Sequence, residues 1–449
     1  MHAREKAVRS TAGDEARYFG VPGDFWRDFV KRHWNRKPVV FRRPFAGAMG
    51  SAPEIFAGMA SACDASRRMG GGLIRRVYAE NTRVMTGVDD LLPRAADGSL
   101  DRYARRASAQ LGERRFGVIL NHYHKWDGQH WLRVRDFLRG LFERVGLPPG
   151  GVTTDVLFGT YERTPFGIGK DTKHVFTWVI DGRKRVLVWP FEALRKHYRV
   201  DPAAHAGEVG LGTQDYSGIR DEAIVLEGDP GDLMYWPPSY WHVAEASDPP
   251  SSPLTLTVTL DEAGSPMRSA LARLQEMAAG TPQANGAASW YAYSPSALRK
   301  GRTRLPRRIT AAHGAVRRLL ESTRFESESL IAWMDWVSGS AFLNFPAQWE
   351  DRPPLRDSDL VRGDARFPIL WADTGRDLEC SANGHHWTMR RTRESVNALR
   401  YLASGPEGSV GELVSTVQRS SRREFRELLE LLDGYLWLAR RPDAARTEA

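Results

Sequence analysis

Residues 161–190 read YERTPFGIGKDTKHVFTWVIDGRKRVLVWP, and residues 228–246 read GDPGDLMYWPPSYWHVAEA. In the first stretch a turn-like TPFG precedes Val175–Ile180, which is rich in β-branched and aromatic residues. Asp181-Gly182 is a tight-turn signal, and Val186–Trp189 is a second apolar run, so the pattern predicts a β-hairpin closed at 181–182. In the second stretch Gly231-Asp232 marks a turn, an apolar strand follows, and Pro237-Pro238 separates it from Tyr240-Trp241-His242. Two strand-turn-strand units, far apart in sequence and each carrying metal-type ligands, predict a small β-barrel with a metal in its mouth.

These residues resemble the JmjC-type branch of the cupin superfamily, the Fe(II)- and 2-oxoglutarate-dependent oxygenases. Gly231, Pro237 and His242 stand at the spacing of the second cupin motif. In the JmjC hairpin a His-x-Asp pair precedes the strand and a lysine follows the glycine of the turn. The resemblance implies that Asp171 and His242 are iron ligands and that Lys184 anchors a 2-oxoglutarate carboxylate. It places Gly169 where the family has its first histidine, since the motif here reads Gly169-Lys170-Asp171. Two histidines and one carboxylate on one face of iron leave three positions for a bidentate oxo acid and dioxygen. Residues two apart on a strand face the same side, so positions 169 and 171 both look into the barrel. Glycine offers no ligand atom, which leaves two protein ligands and a vacant third position. The implied cofactor is Fe(II), with 2-oxoglutarate as co-substrate.

Strand parity sorts the neighbours. Thr177 shares the face of Asp171 and adds a hydroxyl toward the co-substrate; Tyr161 is a further candidate there. His174 points to the opposite face unless the strand bulges. His122 and His124, in LNHYH, precede the motif strands and read as surface or substrate-cleft residues, not ligands. Trp236 and Trp241 read as packing of the barrel wall.

The chain has 449 residues, enough for two or three domains, with 41% apolar and 27% charged residues, as in a globular protein. Its 64 basic against 55 acidic residues give +9, but arginine is interleaved with Asp and Glu throughout, so nucleic acid is not the expected partner. Cys63 and Cys380 lie far apart and form no zinc or disulfide pattern. With a charged MHAREKAVRS start and no long apolar run, the expected setting is cytoplasmic, away from a membrane.

The expected architecture is α+β: a flexible tail over 1–19, a JmjC-like double-stranded β-helix (jelly-roll, cupin) barrel over 20–262, a helical region over 263–355, and a winged-helix-like module over 356–449. Helices are predicted from Asp24 through Trp34, over Pro53–Cys63, Trp131–Val145, Met267–Ala279, Ile309–Ser322 and Ser327–Val337, with a linker over 280–308. Leu254–Leu260, LTLTVTL, reads as the barrel's closing strand. Asn383-Gly384 is a hairpin turn, and helices over Thr392–Ala403, Ser409–Val417 and Ser421–Leu432 precede a strand at Leu436–Ala439. The resemblance to bacterial ribosomal oxygenases implies a homodimer through the 263–355 helices. The last helix carries at least as many acids as bases, so the module is expected to contact protein or peptide. The functional expectation is a hydroxylase of a peptide or protein side chain. A lapsed barrel that binds a peptide partner is the competing reading, and Gly169 is the feature that favours it.

Overall fold

The computed structural model describes residues 19–440 except 48, 70–71, 81, 162, 165, 200–208, 212–214, 260–264, 280–312, 315, 319 and 347–352; the side chains of 74, 209, 246–259 and 277–279 are also outside the description. Helix Phe25–Arg32 buries Trp26 and Phe29, and Val39–Phe41 forms β1. Helix Ala52–Arg68 outruns the 53–63 span read from sequence. Ser51 and Glu54 cap each other's backbone at its start, and Arg67 and Arg68 complement its carboxyl end. Strands β2 (Ile74–Ala79), β3 (Thr82–Val84) and β4 (Phe116–Asn121) follow. Helix Gly128–Val145 starts at Asp127, whose carboxylate accepts the His130 N–H. Then come β5 (Gly151–Gly159), β6 (Gly169–Lys170), β7 (Lys173–Pro190), β8 (Val209–Gly210), β9 (Ile224–Gly228), β10 (Leu233–Trp236) and β11 (Tyr240–Thr259).

Asp181-Gly182 does not close a hairpin. β7 is one strand of 18 residues and β11 one of 20, paired antiparallel from Tyr240 opposite Pro190 to Thr259 opposite Lys173. The predicted closing strand at 254–260 is therefore the second half of β11. Gly182 sits at φ 67°, and register shifts fall between Ala246 and Pro253. A positive φ with a bulge bends a ribbon without reversing it. The two halves of β7 also take different outer neighbours: Val175–Trp178 pair with β10, and Lys184–Val188 pair with β9.

The bent ribbon builds two facing walls. One runs β10, β7, β11, β5, β4, β2, β3, using the first half of β7 and the second half of β11. The other uses the remaining halves, with β9 on one side and β6 and β8 on the other. Phe176 and Trp178 turn outward from the first wall into a core with Trp26, Phe29 and Phe137. Phe137 meets Trp178 edge-on at 4.7 Å, an arrangement worth about 0.5–1.5 kcal/mol beyond its area. The alternate residues Val175 and Thr177 face the space between the walls.

Helices Pro266–Ala279 and Thr323–Ser338 pack together, with Arg273 bonded to Asp335 at 3.0 Å. The predicted 280–308 linker and the start of the 309–322 helix lie outside the described residues. The C-terminal part holds two three-stranded sheets, one of β12 (Leu360–Gly363) between β16 (Glu407–Ser409) and β17 (Leu438–Arg440), the other of β13 (Leu370–Asp373), β14 (Asp377–Ala382) and β15 (His385–Arg390). Asn383 and Gly384, at φ 53° and 82°, form the two-residue turn read from sequence. Helices Arg393–Ala403, Val410–Ser415 and Arg422–Gly434 close over Leu399, Leu402, Leu429 and Trp437. Arg135, fully buried on helix Gly128–Val145, ties this part to the rest of the chain: it bonds Asp364 at 3.0 Å, donates to Asn383, and lies 3.6 Å from the Phe367 ring centroid. No helix among the described residues is long and apolar enough to cross a membrane.

Candidate active site

A cavity of about 410 Å³ lies between the walls. The first wall turns Lys173, Val175 and Thr177 of β7 into it, and the second turns in Gly169, Lys184, Val186 and His242. Asp171, in the link between β6 and β7, lines the same space. Its Oδ2 stands 3.7 Å from His242 Nε2. Two donors on one ion, each about 2.0–2.2 Å from it, stand no more than about 4 Å apart, so this spacing suits a shared metal. Burial lowers the His242 pKa, opposed by the Asp171 carboxylate, and so favours the neutral imidazole that ligates metals. Among the described residues no three His, Cys, Asp or Glu side chains gather to hold a metal. The pair fits a divalent ion with one protein donor fewer than a two-histidine, one-carboxylate triad supplies.

Lys184 is 2% exposed. Its Nζ donates to the Tyr161 hydroxyl at 2.8 Å, and no carboxylate among the described residues lies within 4 Å of it. Burial lowers its pKa to about 7, against the pull of Glu245. Glu245 is already held by Arg220 and by the Tyr216 hydroxyl, each at 2.6 Å. A buried ammonium whose hydrogen-bond partner is a neutral phenol is costly, and an arriving anion removes much of that cost. Thr177, also 2% exposed, lines the same cavity. The structure thus brings together Asp171, His242, Lys184, Thr177 and Gly169 around one space, with Tyr161 behind Lys184.

His174 belongs to the core. It stacks on Trp34 at 3.7 Å, its Nδ1 lies 2.8 Å from the Tyr235 hydroxyl, and burial lowers its pKa to about 3. His124, expected at a surface or cleft, is fully buried instead, bonded to Thr154 and to the Leu343 carbonyl, with burial lowering its pKa to about 3. The aromatic Phe342 packs over it and removes it from solvent. His122 Nδ1 accepts from the Asn344 side-chain amide nitrogen at 2.9 Å. The Trp236 ring lies 5.3 Å from His242, and Trp241 is buried on the far side of the second wall.

Sequence reasoning missed Arg76, Asn121, Asp155 and Lys173, which also line the cavity. Burial raises the Asp155 pKa, and its Oδ1 accepts the His122 N–H at 3.0 Å. A charged residue inside the otherwise apolar alternation of β5 was the available signal.

No family model and no curated protein matches the chain. Among solved structures it is similar to Escherichia coli YcfD: one crystal structure shares 17% identity at TM-score 0.48, covering 94% of this chain and 99% of that one. A second, described as a ribosomal oxygenase in complex with cobalt and 2-oxoglutarate, shares 16% at TM-score 0.46 and covers 93% and 98%. A third, with cobalt and succinic acid, shares 16% at 0.45 over the same spans. Likeness this distant carries no functional argument, which rests on the cavity.

Proposed function

We propose that the chain is an Fe(II)- and 2-oxoglutarate-dependent oxygenase built on a jelly-roll barrel of JmjC type, hydroxylating a peptide or protein side chain. One observation carries this reading: a carboxylate and an imidazole 3.7 Å apart share a cavity with a buried lysine that has no carboxylate of the described residues within reach. Asp171 and His242 would hold the metal, which when bound supplies chelation of the 2-oxo acid and activation of dioxygen. Lys184 neutralises the distal carboxylate of the acid, Tyr161 holds the lysine in place, and Thr177 offers a hydroxyl on the same face. Val175, Val186 and Leu157 keep the walls dry and strengthen each of these contacts.

Gly169 sits directly across from His242 in the strand ladder. Directly opposed residues project to the same face with Cβ atoms about 4.5–5.5 Å apart, so position 169 is where a second imidazole would stand. The glycine there favours the second reading, a barrel that holds a peptide without turnover. Metal content of protein purified without air, followed by iron-dependent succinate formation from 2-oxoglutarate, separates the two. Bound iron with succinate supports the oxygenase; a folded barrel that binds neither metal nor acid refutes it.

Two further parts of the reading concern partners. Met267, Leu271, Leu330 and Trp333 are exposed on helices Pro266–Ala279 and Thr323–Ser338, and a second copy of the chain would cover them. The C-terminal part, read as a winged-helix-like module, would contact protein or peptide. Sedimentation of wild type against Trp333→Glu tests the dimer; an unchanged monomeric mass in both removes it.

A further inference from the structure

We propose that Lys173 and Lys184 together clamp the two carboxylates of a five-carbon dicarboxylate, so that the cavity takes up its acid before, and without, a metal. This rests on reading the cavity as an oxo-acid site.

The bend of the ribbon gives the cavity a closed end and an open one. Lys184 lies beside the bend, two residues past Gly182. Lys173 begins β7 at the opposite end, on the other wall. His242 pairs with Val188, four residues beyond Lys184, which is roughly 13 Å of strand. Lys173 and Lys184 both line the one cavity of about 410 Å³, so both side chains border the space a bound diacid would fill.

Lys173 is close enough to the metal-type pair to act on it. It lines the same space as Asp155, Asp171 and His242. It shares the inner face of β7 with Val175 and Thr177. Among the described residues the charged side chains lining the cavity are Arg76, Lys173 and Lys184 against Asp155 and Asp171. That balance is positive before any metal arrives, and a dicarboxylate reverses it. In a full triad the metal supplies the cation at the open end. Here that end has one donor fewer and an ammonium beside it. The competing role for Lys173 is neutralising Asp155 alone.

The test uses the full-length chain in EDTA, titrated calorimetrically with glutarate and with 2-oxoglutarate. Glutarate has the same carbon count and lacks the 2-oxo oxygen that chelates a metal. The two acids should bind alike, within about threefold, because the oxo oxygen has no metal to meet. Lys173→Met and Lys184→Met should each weaken both by about tenfold or more, and Lys173→Arg should retain most of the affinity. Thermal melting of each variant checks that it folds. Binding that appears only when Mn(II) replaces EDTA overturns the clamp and leaves the oxygenase reading standing. Metal-free binding that Lys173→Met does not change assigns that lysine to Asp155 and also overturns the clamp. Failure to bind either acid, with or without Mn(II), removes both.

Discussion

The two ends of the cavity are built to different degrees of completion. At the closed end, Lys184 is sealed, held by the Tyr161 hydroxyl and backed by Thr177 on the facing wall. At the open end, Asp171 and His242 stand at chelating distance, but the residue across the ladder from His242 is Gly169. On the proposed reading the closed end is an anion site and the open end a metal site with one protein donor replaced by space. Acid binding and metal binding are then separable, and each can be broken or restored alone.

The largest effect is expected at the closed end. Lys184→Met removes a charge-assisted contact worth roughly 1.5–3 kcal/mol, so 2-oxoglutarate affinity should fall about ten- to a hundredfold by calorimetry. An unchanged constant would show that the acid does not reach the closed end. The pH profile sharpens the same point. Burial sets the free Lys184 pKa at about 7, and the ammonium is the binding form. Affinity should be flat below pH 7 and fall about tenfold per unit above it, as the acid must bring a proton with it, until the higher pKa of the complex is reached. Lys184→Met should abolish this slope. The same depression has the opposite sign for the stability of the free protein. Charging a buried lysine destabilises it most below pH 7, and that penalty fades as pH rises from 7 toward the ordinary lysine value near 10.4. The melting advantage of Lys184→Met should fade over that window.

At the open end, Gly169→His should tighten Mn(II) or Fe(II) binding by about tenfold if the added imidazole contributes about 1.4 kcal/mol. It should change metal-free acid binding far less than either lysine substitution, since an imidazole at 169 removes neither cation. If metal affinity does not rise, position 169 is not the missing ligand position. The smallest change is Tyr161→Phe. Losing one neutral partner of Lys184, at about 0.5–1.5 kcal/mol, should weaken the acid a few-fold and no more.

Much of this was legible in local pattern. Asp171, Lys184 and His242 stand out by motif spacing, and the structure brings them to one cavity with Thr177, while His174, on the opposite face by parity, bonds Tyr235. The Asn383-Gly384 turn was read correctly because a two-residue turn needs little beyond positive φ. Asp181-Gly182 carries the same local signal and does something else. Whether such a pair reverses a chain or bends it depends on the partner strand, and β11, some 60 residues away, runs alongside both halves. The same dependence hid Lys173 and Asp155. Neither belongs to a motif, and only pairing across β7, β11 and β5 brings them to one cavity. His124 was misplaced because the Leu343 carbonyl and Phe342 that enclose it lie more than 200 residues on.

Arg135 makes the C-terminal part something other than detachable cargo. Its guanidinium, sealed between helix Gly128–Val145 and the loops around Asp364 and Asn383, has its neutralising charge on the other side of the junction. Asp364→Ala would take that acid away from a buried guanidinium, at a cost of about 3–5 kcal/mol, a large share of the chain's margin against unfolding. Recombination that swaps this tail for another must therefore supply a new acid at the same place or lose the arginine.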